Sequence, residues 1–357
     1  MGKIANNSPT PPPEPPESPP PPPPPPPPLF LRPWHAPDRG RRGDWIRLYG
    51  WVLAIVVVLM TGGWIVFATG PPTEAELREQ ARLIGKDRLR VGVKDDTPGI
   101  ARRDPATGAY TGFDIEIAKL VAAELGFREN QIEFLPIETE DRARMQAMGA
   151  DNTFVHVDLV IATFSITPRR LDDPAVGFSR PYLNTEQSVV TLADHRTVSS
   201  LSQLRGERVC TLGTSTSESE AAKAGAVVTG VNRISECFTG LDEDDYDAVS
   251  TDSAIMAGFV AASGGRFRHH DIGLETTEMW AVNAGTNKAL QTLVDLALYR
   301  SYADPEDRRW EDAYRDNILP LLKTNPGVNV AQSDQPCVPA PEVRTWPWER
   351  GLAADGC

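Results

Sequence analysis

Residues 158–170 read DLVIATFSITPRR. Residues 159–162 are an unbroken apolar run, the pattern of a strand buried on both faces within a parallel sheet. The run passes into a loop carrying Thr163, Ser165 and Thr167, and then into Pro168, Arg169 and Arg170. Working outward, strand and helix patterns alternate on both sides. Upstream, LRVGVK (89–94) alternates Leu89, Val91 and Val93 and predicts a strand. GFDIEIAKLVAAELGF (112–127) places Asp114 as an N-cap, a helical stripe of Ile117, Leu120, Val121 and Leu125, and Gly126 as the stop. IEFLPI (132–137) predicts the next strand, and a helix is expected over 140–148. The order β-α-β-α-β describes one parallel α/β lobe.

Downstream, SVVTLA (188–193) leads away into a second series. A helix start at 199–204, the strand ERVCTL, a polar helix from Ser217 and the strand YDAVST follow in turn. EMWAVN (278–283) is a further strand. Two helices close the chain. The first carries Leu290, Leu293, Val294 and Ala297 on one face; the second begins at Asp304-Pro305, a cap followed by proline in the first turn, and carries Trp310 and Tyr314. Two α/β units joined by two extended segments predict two lobes with a cleft between them.

WVLAIVVVLMTGGWIVFAT (51–69) has no charge. At about 1.5 Å per residue its roughly 19 residues cover a hydrocarbon core of about 30 Å. Arg39, Arg41, Arg42 and Arg47 precede it, whereas Glu74 and Glu76 follow it. The arginine excess predicts a cytoplasmic N-terminus and an extracytoplasmic folded domain. Trp45, Tyr49, Trp51 and Trp64 suit the two interfaces. The rival reading is a cleaved signal peptide, but some fifty residues precede the run and no cysteine follows it to accept a lipid. The expected division is 1–47 a disordered Pro-rich cytoplasmic tail, 48–69 the anchor, 70–87 a juxtamembrane helix lifting the domain off the membrane, 88–191 lobe 1, 192–277 lobe 2, 278–323 a return to lobe 1, and 324–357 a C-terminal tail. The proline tract, unbroken from Pro19 to Pro28, is a stiff polyproline II rod that serves as a spacer or as a docking ligand.

A net charge of −13 argues against nucleic acid, whose phosphates need a basic face. Four cysteines, Cys210, Cys237, Cys337 and Cys357, suit two disulfides in an exported domain. Three pairings are possible; order along the chain favours Cys210–Cys237 and Cys337–Cys357. The alternative is four free thiols. No CxxC spacing exists for zinc or redox chemistry, and no metal or cofactor is expected. His269-His270 reads as a solvated pair on a polar loop. No GxSxG, HExxH or Walker loop is present, so no catalytic residue is expected.

Four stretches carry a family resemblance: GFDIEIAKLVAAELGF, DLVIATFSITPRRLDDPAVGFSRPYL, LRGERVCTLGTSTSES and YDAVSTDSAIMAGFV. In this order and spacing they resemble the amino-acid-binding class (family 3) of bacterial solute-binding proteins. VKDDTPGI, the placement of Cys210 and Cys237, and TTEMWAVNAGTN resemble more narrowly the actinobacterial glutamate-binding proteins. The resemblance covers about 88–322. It implies an α/β two-lobed type II periplasmic-binding-protein fold, with two hinge strands and a ligand clamped between the lobes.

A free amino acid offers a carboxylate and an ammonium, and both must be paired once desolvated. A bidentate guanidinium with backbone N–H groups at a helix start suits the first. In the family the arginine stands five residues after the hydroxyl residue, which gives Arg170; Arg169 is a solvated neighbour. The family's acidic residue gives Asp252 for the ammonium, with Ser165 and the backbone of Thr163 completing the cage; Asp252 also reads as a helix N-cap. Gly213, Thr214 and Ser215 are expected to turn main-chain amides into the cleft. Lys94 and Arg142 are the candidate second cations for an acidic side chain. Thr139 stands where a relative carries phenylalanine. The expected function is a membrane-anchored binding protein feeding glutamate or aspartate to an ABC-type permease, with micromolar affinity, about −8 kcal/mol. The alternative is a sensor that signals cleft closure through a membrane partner.

Overall fold

The computed structural model describes residues 39–68, 70–273 and 277–344. The proline tract and Cys357 lie outside the described residues. Helix α1 (Arg39–Ala68) is continuous, and it begins in the arginine-rich segment, ahead of the span expected from residue 48. Within it Gly43–Trp64, 22 residues of mean hydropathy 1.8 with exposed side chains, is long and apolar enough by length and composition to cross a bilayer.

The remaining chain begins with α2 (Glu74–Gln80), opened by a reciprocal capping box between Thr73 and Glu76. Its Leu77 is buried, as are Ala81 and Leu83 just beyond. Arg78 donates to the carbonyls of Glu124 and Leu125. This helix packs onto the domain that follows it, where Leu77, Ala81 and Leu83 are buried.

In chain order there follow β1 (Leu89–Val93), a small antiparallel sheet of β2 (Asp96–Thr97), β3 (Ala101–Arg103) and β4 (Tyr110–Thr111), helix α3 (Phe113–Glu124), and β5 (Ile132–Pro136). Next come the hairpin β6 (Gln146–Met148) with β7 (Phe154–His156), then β8 (Leu159–Val160), α4 (Pro168–Leu171) and the 15-residue strand β9 (Phe178–Leu192). The second series is β10 (Arg208–Leu212), α5 (Thr216–Ala224), β11 (Val227–Val231), α6 (Ile234–Asp242), β12 (Ala248–Asp252), α7 (Ser253–Ala262) and β13 (Phe267–His270). Strand β14 (Thr277–Asn283) and helices α8 (Lys288–Ala303), α9 (Arg309–Asn317) and α10 (Leu319–Thr324) complete the described elements.

β1 pairs in parallel with β5 and β8, and β10 pairs in parallel with β11 and β12. β9 joins the two halves. Its first part pairs antiparallel with β14, and its last part with β12 and β13. The hinge is therefore one long strand with β14 laid against it. β14 shifts register at Trp280 and Ala281, a bulge of the sort that re-aims side chains.

The helix expected over 140–148 is absent. A short turn at 139–141 is followed by Met145 at φ +57° and then strand β6. The tip 149–153 holds Asn152 at φ +60°, and Asp151 Oδ1 accepts from the Thr153 amide and hydroxyl. Turn chemistry closes a hairpin there, and strands of three residues are too short to announce themselves by alternation. Asp114 is not the cap of α3: that position is Gly112, at φ +127°, where a Cβ would meet Ile100 O at 2.3 Å. His269 and His270 lie on β13, not on a loop. His269 contacts Ser188 and Asn325, and His270 contacts Thr191. Burial pulls both rings down to about 4, so they are neutral structural groups.

Cys210 of β10 and Cys237 of α6 form a buried disulfide. It closes a loop of 27 residues, and denaturant unfolding of a Cys210→Ala/Cys237→Ala double variant is expected to show a loss of about 3–4 kcal/mol. An unchanged midpoint would assign the bridge no stabilising role. Cys337 is also disulfide-bonded; the expected pairing with Cys357 lies outside the described residues.

Candidate functional site

The loop after β8 shapes the centre of the cleft. Thr163 is held at φ +48°, a conformation that costs a β-branched residue energy and needs surrounding support. Its amide donates to Asp114 Oδ2 at 3.0 Å, while Asp114 Oδ1 accepts from the Tyr182 hydroxyl at 2.9 Å. Burial pushes Asp114 up to about 7. Thr163 Oγ1 is buried with no hydrogen-bond partner among the described residues, an orphan that costs energy unless a ligand or water satisfies it.

Arg142 lies buried beneath this loop. Its Nε donates to Thr139 O at 3.0 Å, and its Nη1 donates to Ala162 O and Thr163 O at 3.1 and 2.9 Å. Burial, then the charge of Arg170, pull it down to about 9. The guanidinium carbons of Arg142 and Arg170 lie 4.8 and 4.6 Å from the Phe164 ring centroid, so one aromatic ring positions both cations. Thr167 caps α4, which carries Arg170 in its single turn. Arg170 donates Nη1 to Ser165 O at 2.7 Å and Nη2 to Thr214 O, across the cleft, at 3.1 Å. Burial lowers its pKa, opposed by the charges of Glu278 and Asp252. Arg169 is exposed.

Asp252 ends β12 and is 5% exposed. It starts α7 in backbone terms, but its side chain makes no capping bond. Instead Oδ2 accepts from Trp280 Nε1 at 2.5 Å. Burial pushes Asp252 up to about 8 and Glu278's charge adds to this; Trp280, Arg142 and Arg170 oppose it.

Arg142, Thr163, Ser165, Arg170, Ser215 and Asp252 line one closed gap between the lobes, of about 10 Å³, no more than a water needs, so the lobes must part to admit an amino acid. Lys94, expected as a second cation, does not line it. Its ammonium donates to Ile137 O, Thr139 Oγ1 and Asn232 O at 3.1–3.3 Å, and burial pulls it down to about 8. It is a tie across the lobe seam, because Asn232 comes from the second lobe; Thr139 Oγ1 also donates there, at 2.9 Å.

The amides expected from the loop after β10 are committed elsewhere. Gly213 N–H donates to Val231 O at 2.8 Å, Thr214 N–H to Glu218 Oε2 at 2.7 Å, and Ser215 N–H to Leu212 O at 3.3 Å. Ser215 instead caps α5 by accepting from Glu218 N–H. The Ser215-x-x-Glu218 spacing signals such a cap. The open amides of this region are those of the first helical turn, where Thr216 lines the cavity. Sequence reasoning also missed Phe164, Trp280 and Glu278. The last two sit beside the β14 bulge, where Ser165 bridges to Trp280. Among the described residues no cluster of His, Cys, Asp and Glu could hold a metal ion.

Residues 89–316 match the profile of the bacterial extracellular solute-binding proteins, family 3. The chain is 27% identical over 242 residues to the glutamate-binding protein GluB of Corynebacterium efficiens, covering 64% of this chain and 78% of that protein. It is 31% identical over 193 residues to the glutamine-binding protein of Geobacillus stearothermophilus, covering 54% and 71%. Among solved structures, an ancestral arginine-binding protein bound to glutamine aligns with a TM-score of 0.56 at 27% identity, covering 65% of this chain and 98% of the other.

Proposed function

The chain belongs to the bacterial extracellular solute-binding proteins of family 3, and from that premise we propose that it binds an acidic amino acid, glutamate or aspartate, and delivers it to an ABC-type uptake transporter. One observation carries the acidic preference: two guanidinium groups, Arg142 and Arg170, share a cavity with the carboxyl of Asp252. In this reading Arg170 pairs with the α-carboxylate. Asp252, Ser165 and the orphan Thr163 Oγ1 take the ammonium; the Thr163 backbone expected there is engaged, its N–H by Asp114 and its carbonyl by Arg142. Arg142 meets the second carboxylate through Nη2, which makes no hydrogen bond to a described residue. Ligand favours the closed arrangement of the lobes because it bridges groups from both. The α1 helix anchors the domain with the N-terminus in the cytoplasm.

Calorimetric titration of the full chain in detergent is expected to rank glutamate and aspartate above glutamine, and glutamine above lysine. A ranking led by lysine overturns the assigned polarity. The second reading, a sensor that reports closure to a membrane partner, is favoured by the docking of α2 onto the first lobe through Leu77 and Arg78. Uptake of labelled glutamate by cells with and without the chain separates the two, since a sensor leaves uptake unchanged.

A further inference from the structure

Two described stretches flank the family match, 70–82 and 319–344, and they meet each other. Arg344 N–H donates to Pro72 O at 3.1 Å, Thr73 and Arg344 form a parallel bridge, and Arg344 Nη2 lies 3.6 Å from Glu76 Oε1. The first stretch is itself fastened to lobe 1 through Arg78 and Leu77.

Followed back from Arg344, the C-terminal stretch runs along the hinge. Gln332 N–H donates to Asn184 O at 2.9 Å, Asn184 Nδ2 donates to Gln332 Oε1 at 2.8 Å, and Thr185 Oγ1 donates to Val330 O at 2.6 Å. Val330 and Val338 are buried. At its start Asn325 grips lobe 2. Asn325 Nδ2 donates to Ala257 O of α7 at 3.2 Å, and Oδ1 accepts from His269 Nδ1 of β13 at 2.6 Å. Since Nδ2 is the donor, His269 carries its proton on Nδ1, and its Nε2 accepts from Ser188 Oγ at 2.7 Å.

One short segment is thus attached to lobe 2, to the hinge strand, and to a stretch fixed on lobe 1. When two bodies rotate about a hinge, a segment pinned to both must slide, stretch or let go at its weakest attachment. We propose that residues 325–344 are a strap that couples bending of the hinge to the docking of residues 70–80, so that the state of the cleft is passed to the chain that leads back to α1. This inference rests on the reading that the lobes open and close around an amino acid.

Hydrogen-exchange mass spectrometry of the full chain in detergent tests it. Asn325→Ala cuts the strap from lobe 2. It is expected to speed exchange at the distant Arg344 amide and in α2 by about tenfold. Exchange altered only around residue 325 overturns the proposal. Gln332→Pro, which removes the bond to Asn184, provides the same test should the first variant not fold. In a second arm, saturating L-glutamate is expected to slow exchange at Arg344 in the parent chain and not in Asn325→Ala; glutamate bound by calorimetry with no change at Arg344 also overturns it. Should glutamate not bind, the ligand reading fails, and the first arm still decides for or against the strap.

Discussion

Replacing Arg170 by alanine is expected to weaken glutamate binding by roughly 10²–10⁴-fold, because two charge-assisted hydrogen bonds to a carboxylate, at about 1.5–3 kcal/mol each, are lost together. The neighbouring groups raise the cost. Arg170 leans on Phe164 and ties Ser165 O to Thr214 O across the cleft, so the variant also loses a contact that belongs to the closed arrangement. Lysine should not rescue it, since a point charge cannot reproduce the fork. The domain should remain folded, as the side chain lies at the seam and not in a hydrophobic core. Calorimetry with a parallel thermal melt checks both halves. Near-normal affinity in a folded variant removes Arg170 from the site.

Asp252→Asn is expected to cost a comparable factor, roughly 10²–10³-fold, because a buried ammonium would lose its counter-charge. The pH dependence makes this prediction specific. The carboxyl rises from 3.8 to about 8 in the ligand-free fold, so between those values the folded chain holds a proton that the unfolded chain has released. The group's contribution to stability is therefore fully present below about pH 4 and is lost as pH rises through about 8. Binding an ammonium requires the ionised form. Affinity should climb between pH 6 and pH 8, by up to about tenfold per unit, with release of a proton. The Asp252→Asn substitution should flatten that slope, keep the acceptor for Trp280 Nε1, and leave the fold at pH 8 no less stable. A flat profile in the parent chain would mean that Asp252 is already ionised or does not face the ligand.

The parts of the fold that could be read in the sequence are those where burial imposes a period. The stripe of Ile117, Leu120 and Val121 and the run 159–162 are buried, and both patterns were plain. Asp252, Ser165 and Thr163 reach one cavity because each stands at or just after the end of a parallel strand, and Arg170 reaches it from the short helix α4 that follows the β8 loop. What stayed hidden depends on contacts between distant residues. Nothing local tells that Lys94 would be held by Asn232 or that Thr214 N–H would be taken by Glu218. Glu278 and Trp280 enter through a bulge, and a bulge leaves no mark on hydrophobic alternation. The three-residue strands β6 and β7 fall below the length at which a period can be recognised.

The single strand β9 has a consequence for biosynthesis. Its partner β14 and the covering helix α8 are made only after the whole second lobe, since residues 193–276 separate them from β9. At about 5–20 residues per second, the ribosome needs roughly ten seconds to go from the end of β9 to the end of α8. Throughout that interval the Val160 edge of β8 waits for Asn283, and the face destined for Leu290, Leu293 and Val294 stays uncovered. The first half of the domain is thus incomplete until α8 has been made.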